Sequence, residues 1–185
     1  ADELKAHMRK AGAYLASPQE LQKLEKLLLV QGENGHLGAS KNYIGRDALV
    51  ILKAIGVEAP AGTRLIVCET DEAHPFVQEE LMMPVLPMVQ VRDVDSAIEM
   101  AVRIEHGNRH TAVMHSKNVD HMTAFARAID TTIFVKNGPS YAGIGVGGEG
   151  FSTFTIAGPT GEGLTSTRSF TRQRRCVLVD GFSIV

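Results

Sequence analysis

The stretch "TAVMHSKNVDHMTAFARAIDTTIFVKN", residues 111–137, decides the fold. Its first part, "TAVMHS" (111–116), is a short apolar run of strand character. Asn118 then offers an N-cap, and Val119, Met122, Phe125 and Ile129 recur at helical spacing. "TTIFVKN" (131–137) is a second run of strand type. Two strands joined by one helix cannot form a hairpin, so they lie parallel with a crossover between them.

The pattern extends upstream. "RLIVCET" (64–70) and "PVLPMVQVR" (84–92) are further apolar strands. Asp93 caps a helix with apolar positions Val94, Ala97, Ile98, Ala101 and Val102. Strand, helix, strand, helix and strand over 84–137 predict an α/β fold: a mostly parallel sheet flanked by helices, with right-handed crossovers. Nearer the start, Ser17-Pro18-Gln19-Glu20 is a capping box with Pro at the first helical position. Leu21, Leu24, Leu27 and Leu28 form the buried stripe of that helix. "QGENGHLGASKNY" (31–43) is polar and glycine-rich and reads as a loop. A further helix is expected from Gly45 to Ile55, stopped by Gly56. The opening "ADELKAHMRKAGAYL" has no initiator Met, and Leu4, Met8, Ala11 and Leu15 keep helical spacing, as if the chain began inside a longer protein. Residues 138–168 are rich in Gly, Pro, Ser and Thr and form a long loop with one short strand at "FSTFTI". "RQRRCVLVDGFSIV" ends the chain as an extended apolar segment.

The 185 residues suit one domain, and 44% hydrophobic content supports a core. A net charge of -2 gives no reason to expect nucleic-acid binding. The apolar runs are too short to span a membrane, and no signal segment opens the chain. Cys68 and Cys176 are too few for a disulfide framework, which points to a reducing, cytoplasmic setting.

Three short spellings suggest nucleotide chemistry, and each lacks a necessary part. Gly143-x-Gly145-x-x-Gly148 has the dinucleotide spacing, but the extended "FSTFTI" and Pro159 follow where a helix should start. "GPTGEGLT" (158–165) has Leu164 where a phosphate loop needs Lys. Asp71-Glu72-Ala73-His74 reads as a polar turn before Pro75. His106, His110, His115 and His121 cluster in sequence, but they fall on a turn, a strand and a helix, so no metal site is expected. Cys68 reads as a buried strand residue, and Cys176, though beside Arg174 and Arg175, also reads as packed.

Several runs in order are distinctive: "HPFVQEELMMPVLPMVQVRDVDSAIEMAV", "EHGNRHTAVMHSKNVD", "TTIFVKNGPS", "GVGGEGFSTFTIAGPTGEGLTS" and "RRCVLVDGF". Together they resemble the C-terminal part of the CoA-acylating aldehyde dehydrogenases of bacterial microcompartments, the propionaldehyde and acetaldehyde enzymes of propanediol, fucose and ethanolamine breakdown. The resemblance runs from about Tyr43 onward and is looser over residues 1–42. It implies an aldehyde dehydrogenase-like catalytic domain over 1–168 and a C-terminal β-arm strand over 169–185 that joins copies into a homo-oligomer. The implied chemistry is attack of a Cys on a short aldehyde, hydride transfer to NAD, and transfer of the resulting thioester to coenzyme A. In that family the nucleophilic Cys and the NAD-binding domain lie upstream of the segment starting at Ala1. The missing N-terminal part is thus an expected partner, and the fragment alone is expected to be inactive. A location inside a bacterial microcompartment is implied too.

The resemblance also assigns residues. Glu79-Glu80-Leu81-Met82-Met83-Pro84 is similar to the superfamily's Glu-Glu-(apolar)-Phe-Gly-Pro motif, so Glu80 inherits the hold on the nicotinamide ribose hydroxyls. Met82 stands where the motif has its aromatic. His110, in a "His-Thr-Ala" stretch, matches the acylating members' histidine and is the expected base. The Gly143–Gly150 loop becomes pocket wall, with Asn137, Ser140, Tyr141 and Ile144 as expected lining. The competing expectations are a non-catalytic interaction module that pairs through the C-terminal strand and a stand-alone Cys/His acyltransferase using Cys68.

Overall fold

In the computed structural model, which describes residues 1–32, 35–150, 152–158 and 162–180, helix α1 (Asp2–Lys10) carries acid in its first turn and base in its last. Both charges suit the helix dipole. The helix ends where Gly12 turns left-handed at φ 95°, and a Cβ there would lie 2.8 Å from the Gly62 carbonyl oxygen. Leu15 therefore does not continue the helix, as its spacing suggested. It ends β1 (Ala13–Leu15), a strand that pairs parallel with β4 (Leu65–Thr70). Helix α2 (Pro18–Leu28) has the expected reciprocal capping box between Ser17 and Glu20.

A hairpin runs into the segment expected to be a loop (31–43): its first strand begins at Leu29 and its second lies inside that segment. β2 (Leu29–Gln31) pairs antiparallel with β3 (Leu37–Ala39). Backbone ladders form over glycine and polar residues alike, so composition concealed it. Helix α3 (Ala48–Ala54) starts after Asp47 rather than at Gly45, because the preceding residues fold into a turn in which Arg46 N–H bonds the Tyr43 carbonyl. Helix α4 (Pro75–Gln78) and strand β5 (Val85–Val89) follow, and β5 joins the sheet parallel to β4. The sheet order is β1-β4-β5.

The chain divides into two compact units, Ala1–Met100 and Ala101–Val185. In the first, Leu24, Leu28, Ile51, Leu52, Ile66 and Cys68 are fully buried in one cluster that includes Phe76, Leu81 and Val85. This cluster is the main store of hydrophobic stabilisation.

Helix α5 (Val94–Ile104) is started by Asp93, whose Oδ1 accepts the Ser96 N–H at 2.8 Å. In the second unit, β6 (Thr111–Met114) and β7 (Ile133–Lys136) pair parallel across helix α6 (Val119–Ile129). Asn118 caps α6 through Oδ1, which accepts from Asp120 and His121. Phe125, Ile129, Ile133 and Val135 are buried, and Phe125 meets Phe134 edge-on at 5.4 Å. Among the described residues β6 and β7 form their own two-stranded ladder, where a single run of strands over 84–137 was expected. Apolar periodicity identifies a strand but does not name its partner.

Beyond β7 come a 3-10 turn at Ser140–Ile144, strands β8 (Ile156–Ala157) and β9 (Gly163–Leu164) paired antiparallel, and a 3-10 turn at Thr167–Phe170. The strand expected across "FSTFTI" is thus reduced to its last residue plus Ala157. Residues 171–180 are exposed and carry no strand pairing among the described residues. Alternating side chains favour a strand, but a free edge must complete it. The end of that arm (181–185), Phe151 and the middle of the near-phosphate loop (159–161) lie outside the described residues. No helix among the described residues is long and apolar enough to cross a membrane.

Candidate functional site

His110 sits immediately before β6, at the N-terminal end of the strand, as the sequence predicted. A tight turn delivers it there. His106, Gly107 and Arg109 have φ of 54°, 76° and 51°. Glu105 holds the turn closed: its carbonyl accepts from Asn108 Nδ2 at 2.9 Å, and its Oε1 accepts the His110 N–H at 3.1 Å. The His110 carbonyl accepts the Ile133 N–H at 3.1 Å, which ties the residue to β7. Arg109 pairs with Asp130 at 2.8 Å, and its carbonyl lies 2.5 Å from where a Cβ on Gly158 would stand. Any larger residue at 158 would push against this turn.

The His110 ring is exposed, with Nδ1 at 2.7 Å from Thr111 Oγ1. When Nδ1–H donates to that hydroxyl, Nε2 carries the lone pair and accepts a proton. Thr111 and Glu105 are thus supporting residues that sequence reasoning missed. The adjacent "His-Thr" pair hinted at the first, and nothing local hinted at the second.

The expected lining residues fall at the other end of the strands or fold back from it. Asn137 follows β7 at φ 55°. Its Oδ1 accepts the Ser116 N–H at 2.8 Å, and its Nδ2 donates to the Ser116 carbonyl at 2.8 Å. Asn137 is therefore a brace between the ends of β6 and β7, with both polar atoms of its amide engaged. Ser140, Tyr141 and Ile144 belong to the 3-10 turn, and Tyr141 is 62% exposed. The turn doubles back over β7: a Cβ on Gly143 would collide with the Ile133 side chain. Through Ile133, Gly143 and His110 approach the same end of the β6–β7 pair.

The glycine spelling is explained by packing of the loop on itself. A Cβ on Gly148 would lie 2.7 Å from the Ala142 carbonyl oxygen, and one on Gly150 would strike the Gly143 carbonyl. The atoms filling those spaces are carbonyl oxygens of the loop. A diphosphate needs N–H donors and a following helix, and Ser152–Thr155 forms no helix. The expected reason for these glycines, close approach of backbone to substrate, is replaced at Gly143, Gly148 and Gly150 by approach of backbone to backbone or to Ile133.

Glu80 lies in the first unit, exposed, two residues past α4. Its neighbours are anchored: Phe76 and Leu81 are buried at 2% and 6% exposure, and Glu79 Oε2 faces His36 Nε2 at 3.3 Å. Asp71-Glu72-Ala73-His74 is the expected turn, and His74 also caps α4. Among the described residues no three His, Cys, Asp or Glu side chains converge as metal ligands.

The cysteines differ sharply. Cys68 is fully buried in β4, and burial pushes its thiol up to about 12. Cys176 is exposed, against the expectation that it packs, because the segment around it has no strand partner among the described residues. At pH 8, iodoacetamide should therefore label Cys176 and spare Cys68, as read by peptide mass analysis. Thiol pKa values fix a second outcome. The folded state holds the Cys68 proton from about pH 9 up to about 12, whereas the unfolded chain releases it from about pH 9. Stability from this residue is complete below pH ~9 and declines above it. Labelling of Cys68 without unfolding would contradict both statements.

The aldehyde dehydrogenase family profile matches residues 63–171, more than half of the chain, and the chain belongs to that family. It is 52% identical over 186 aligned residues to the acetaldehyde dehydrogenase (acetylating) EutE of Escherichia coli. That alignment covers 100% of this chain and 40% of EutE. It is similar to the solved propionaldehyde dehydrogenase of Rhodopseudomonas palustris with bound CoA and an acylated cysteine, at 54% identity and TM-score 0.88, covering 96% of this chain and 40% of that one. A propionaldehyde dehydrogenase from the Clostridium phytofermentans fucose utilisation microcompartment is 49% identical, with TM-score 0.86, 99% of this chain and 41% of that chain covered. The chain thus spans about 40% of the length of these relatives.

Proposed function

We propose that these residues form part of an NAD-dependent, CoA-acylating aldehyde dehydrogenase that converts acetaldehyde or propionaldehyde to its acyl-CoA through a cysteine thioester. The observation that carries this reading is 52% identity, over the whole chain, to an acetylating enzyme. The attacking sulfur belongs outside these 185 residues. Cys68 is buried and its thiol is held neutral, and Cys176 is exposed on a segment with no strand partner among the described residues. NAD, when bound, supplies the hydride acceptor. Glu80 suits its ribose, because an exposed carboxylate on an anchored segment can accept two hydroxyl donors. His110 takes the proton of the thiohemiacetal or of the incoming CoA thiol through Nε2, with Nδ1 steadied by Thr111. The turn at Ser140–Ile144 walls the substrate side, while Asn137 braces the ends of β6 and β7 from which that turn departs.

The C-terminal segment fits a homo-oligomer arm, since Val177, Leu178 and Val179 are 68%, 66% and 75% exposed. The likeness to a microcompartment enzyme supports the same location for this protein. Residues 1–168 then belong to the catalytic domain and 169–185 to the arm. The exposed apolar arm also favours a second reading, an interaction module without catalysis. One reconstitution separates the two. The 185-residue chain alone should show no aldehyde-, NAD- and CoA-dependent turnover, and adding the N-terminal part of the enzyme as a second chain should restore it. Turnover by the chain alone overturns the fragment reading, and no turnover from the pair favours the interaction module.

A further inference from the structure

His74 makes three contacts that together fix the segment bearing Glu80. Its Nδ1 accepts the Phe76 N–H at 3.1 Å and so caps α4. A nitrogen that accepts a backbone N–H has no hydrogen of its own, so the neutral ring carries its proton on Nε2. That Nε2 faces Glu25 Oε2 on α2 at 3.8 Å. The ring also packs edge-on against Phe76 at 5.0 Å and 67°. The side chain is only 14% exposed. Imidazole is an unusual cap, since Ser, Thr, Asp and Asn do this with one short side chain. The ring is long enough to cap one element and reach a carboxylate on another.

The rest of the segment is fastened in the same way. Glu79 faces His36, next to β3, at 3.3 Å. Phe76 and Leu81 enter the core on either side of Glu80. The Met82 carbonyl accepts the Gly45 N–H at 3.1 Å, and Met82 itself is held at φ 52°. Within this braced stretch Glu80 is exposed. A carboxylate that must accept two hydroxyls at once gains from a backbone that is already in place, because less freedom is lost on binding.

We infer that His74 is a positioning residue for cofactor binding: through its cap on Phe76 and its contact with Glu25 it sets the orientation of Glu80. The inference rests on the role proposed for Glu80. It is tested in the full-length enzyme by NADH fluorescence titration and by steady-state kinetics. His74→Ala should raise the NADH Kd and the KM for NAD about fivefold, the equivalent of a lost cap. The KM for CoA and kcat at saturating NAD should stay unchanged. His74→Asn, which restores an acceptor at the cap position, should recover most of the affinity. Glu79→Gln, which weakens the second brace at the surface, should shift the NADH Kd in the same direction. Unchanged NADH affinity in His74→Ala overturns the inference, as does a failure of Asn to outperform Ala. If His74→Ala does not fold, Glu25→Ala, which removes the carboxylate that His74 Nε2 faces, decides by the same titration: unchanged NADH affinity there overturns the inference. Glu80→Gln separates the two layers. Should it bind NADH normally, the role of Glu80 itself falls. Should it bind weakly while His74→Ala binds normally, only the positioning role falls.

Discussion

Leu24→Ala is expected to lower stability by about 2–5 kcal/mol, the largest structural effect of any single truncation considered. Leu24 lies on the inner face of α2 at 0% exposure, within the cluster of Leu28, Ile51, Leu52, Ile66 and Phe76. Alanine is a better helix former than leucine, so α2 itself does not suffer. The loss comes from unfilled volume between a helix and a sheet that cannot fully close. Urea titration followed by circular dichroism measures it. Val50→Ala is the control: Val50 is on α3 at 47% exposure and should change stability by under ~1 kcal/mol. Equal effects at the two positions would mean that the core is not where the structure has it.

His110→Ala should lower turnover of the full-length enzyme at least about tenfold, or ~1.4 kcal/mol of barrier. The expectation follows from the turn that holds it. Glu105, Arg109, Ile133 and Thr111 fix the residue's backbone and Nδ1. Those contacts leave Nε2 for proton transfer and survive replacement of the ring, except the one to Thr111. A fall in kcat with folding and NADH affinity intact is the signature of a lost base. Near-normal acyl transfer to CoA would remove His110 from the mechanism.

Helix caps were legible where a short polar side chain meets a partner within about four residues. The His74 cap on Phe76 and the Thr111 contact to His110, though as local, were not. Ser17 with Glu20, Asp93 with Ser96 and Asn118 with Asp120 were readable as caps because each partner is close in the chain. The burial of Leu24, Leu28, Phe125 and Ile129 followed from helical period. Strand β1 escaped notice because Leu15 happens to continue the spacing of Leu4, Met8 and Ala11. Only the clash awaiting any side chain at Gly12, against Gly62, breaks that series. The hairpin of β2 and β3 escaped because its bonds are made by backbone. In the site, Glu80 and His110 came from likeness to a family, and no periodicity marks them. Asn137 was named as lining, and its amide is bound to Ser116, in the loop after β6, a contact across 21 residues that no local pattern shows.

The sequence by itself determined the class: apolar strands and capped helices in alternation, parallel pairing across the helices, and a buried Cys68. Caps, periods and missing residues are short-range facts, so one dimension suffices to state them. Tertiary structure alone decided that Ala13 pairs with Leu65 and that Leu29 pairs with Ala39. It also decided that the glycine loop packs against Ile133 and its own carbonyls, and that His74 reaches Glu25. Those outcomes join residues remote in the chain, and their free energies depend on which surfaces meet once the core has closed.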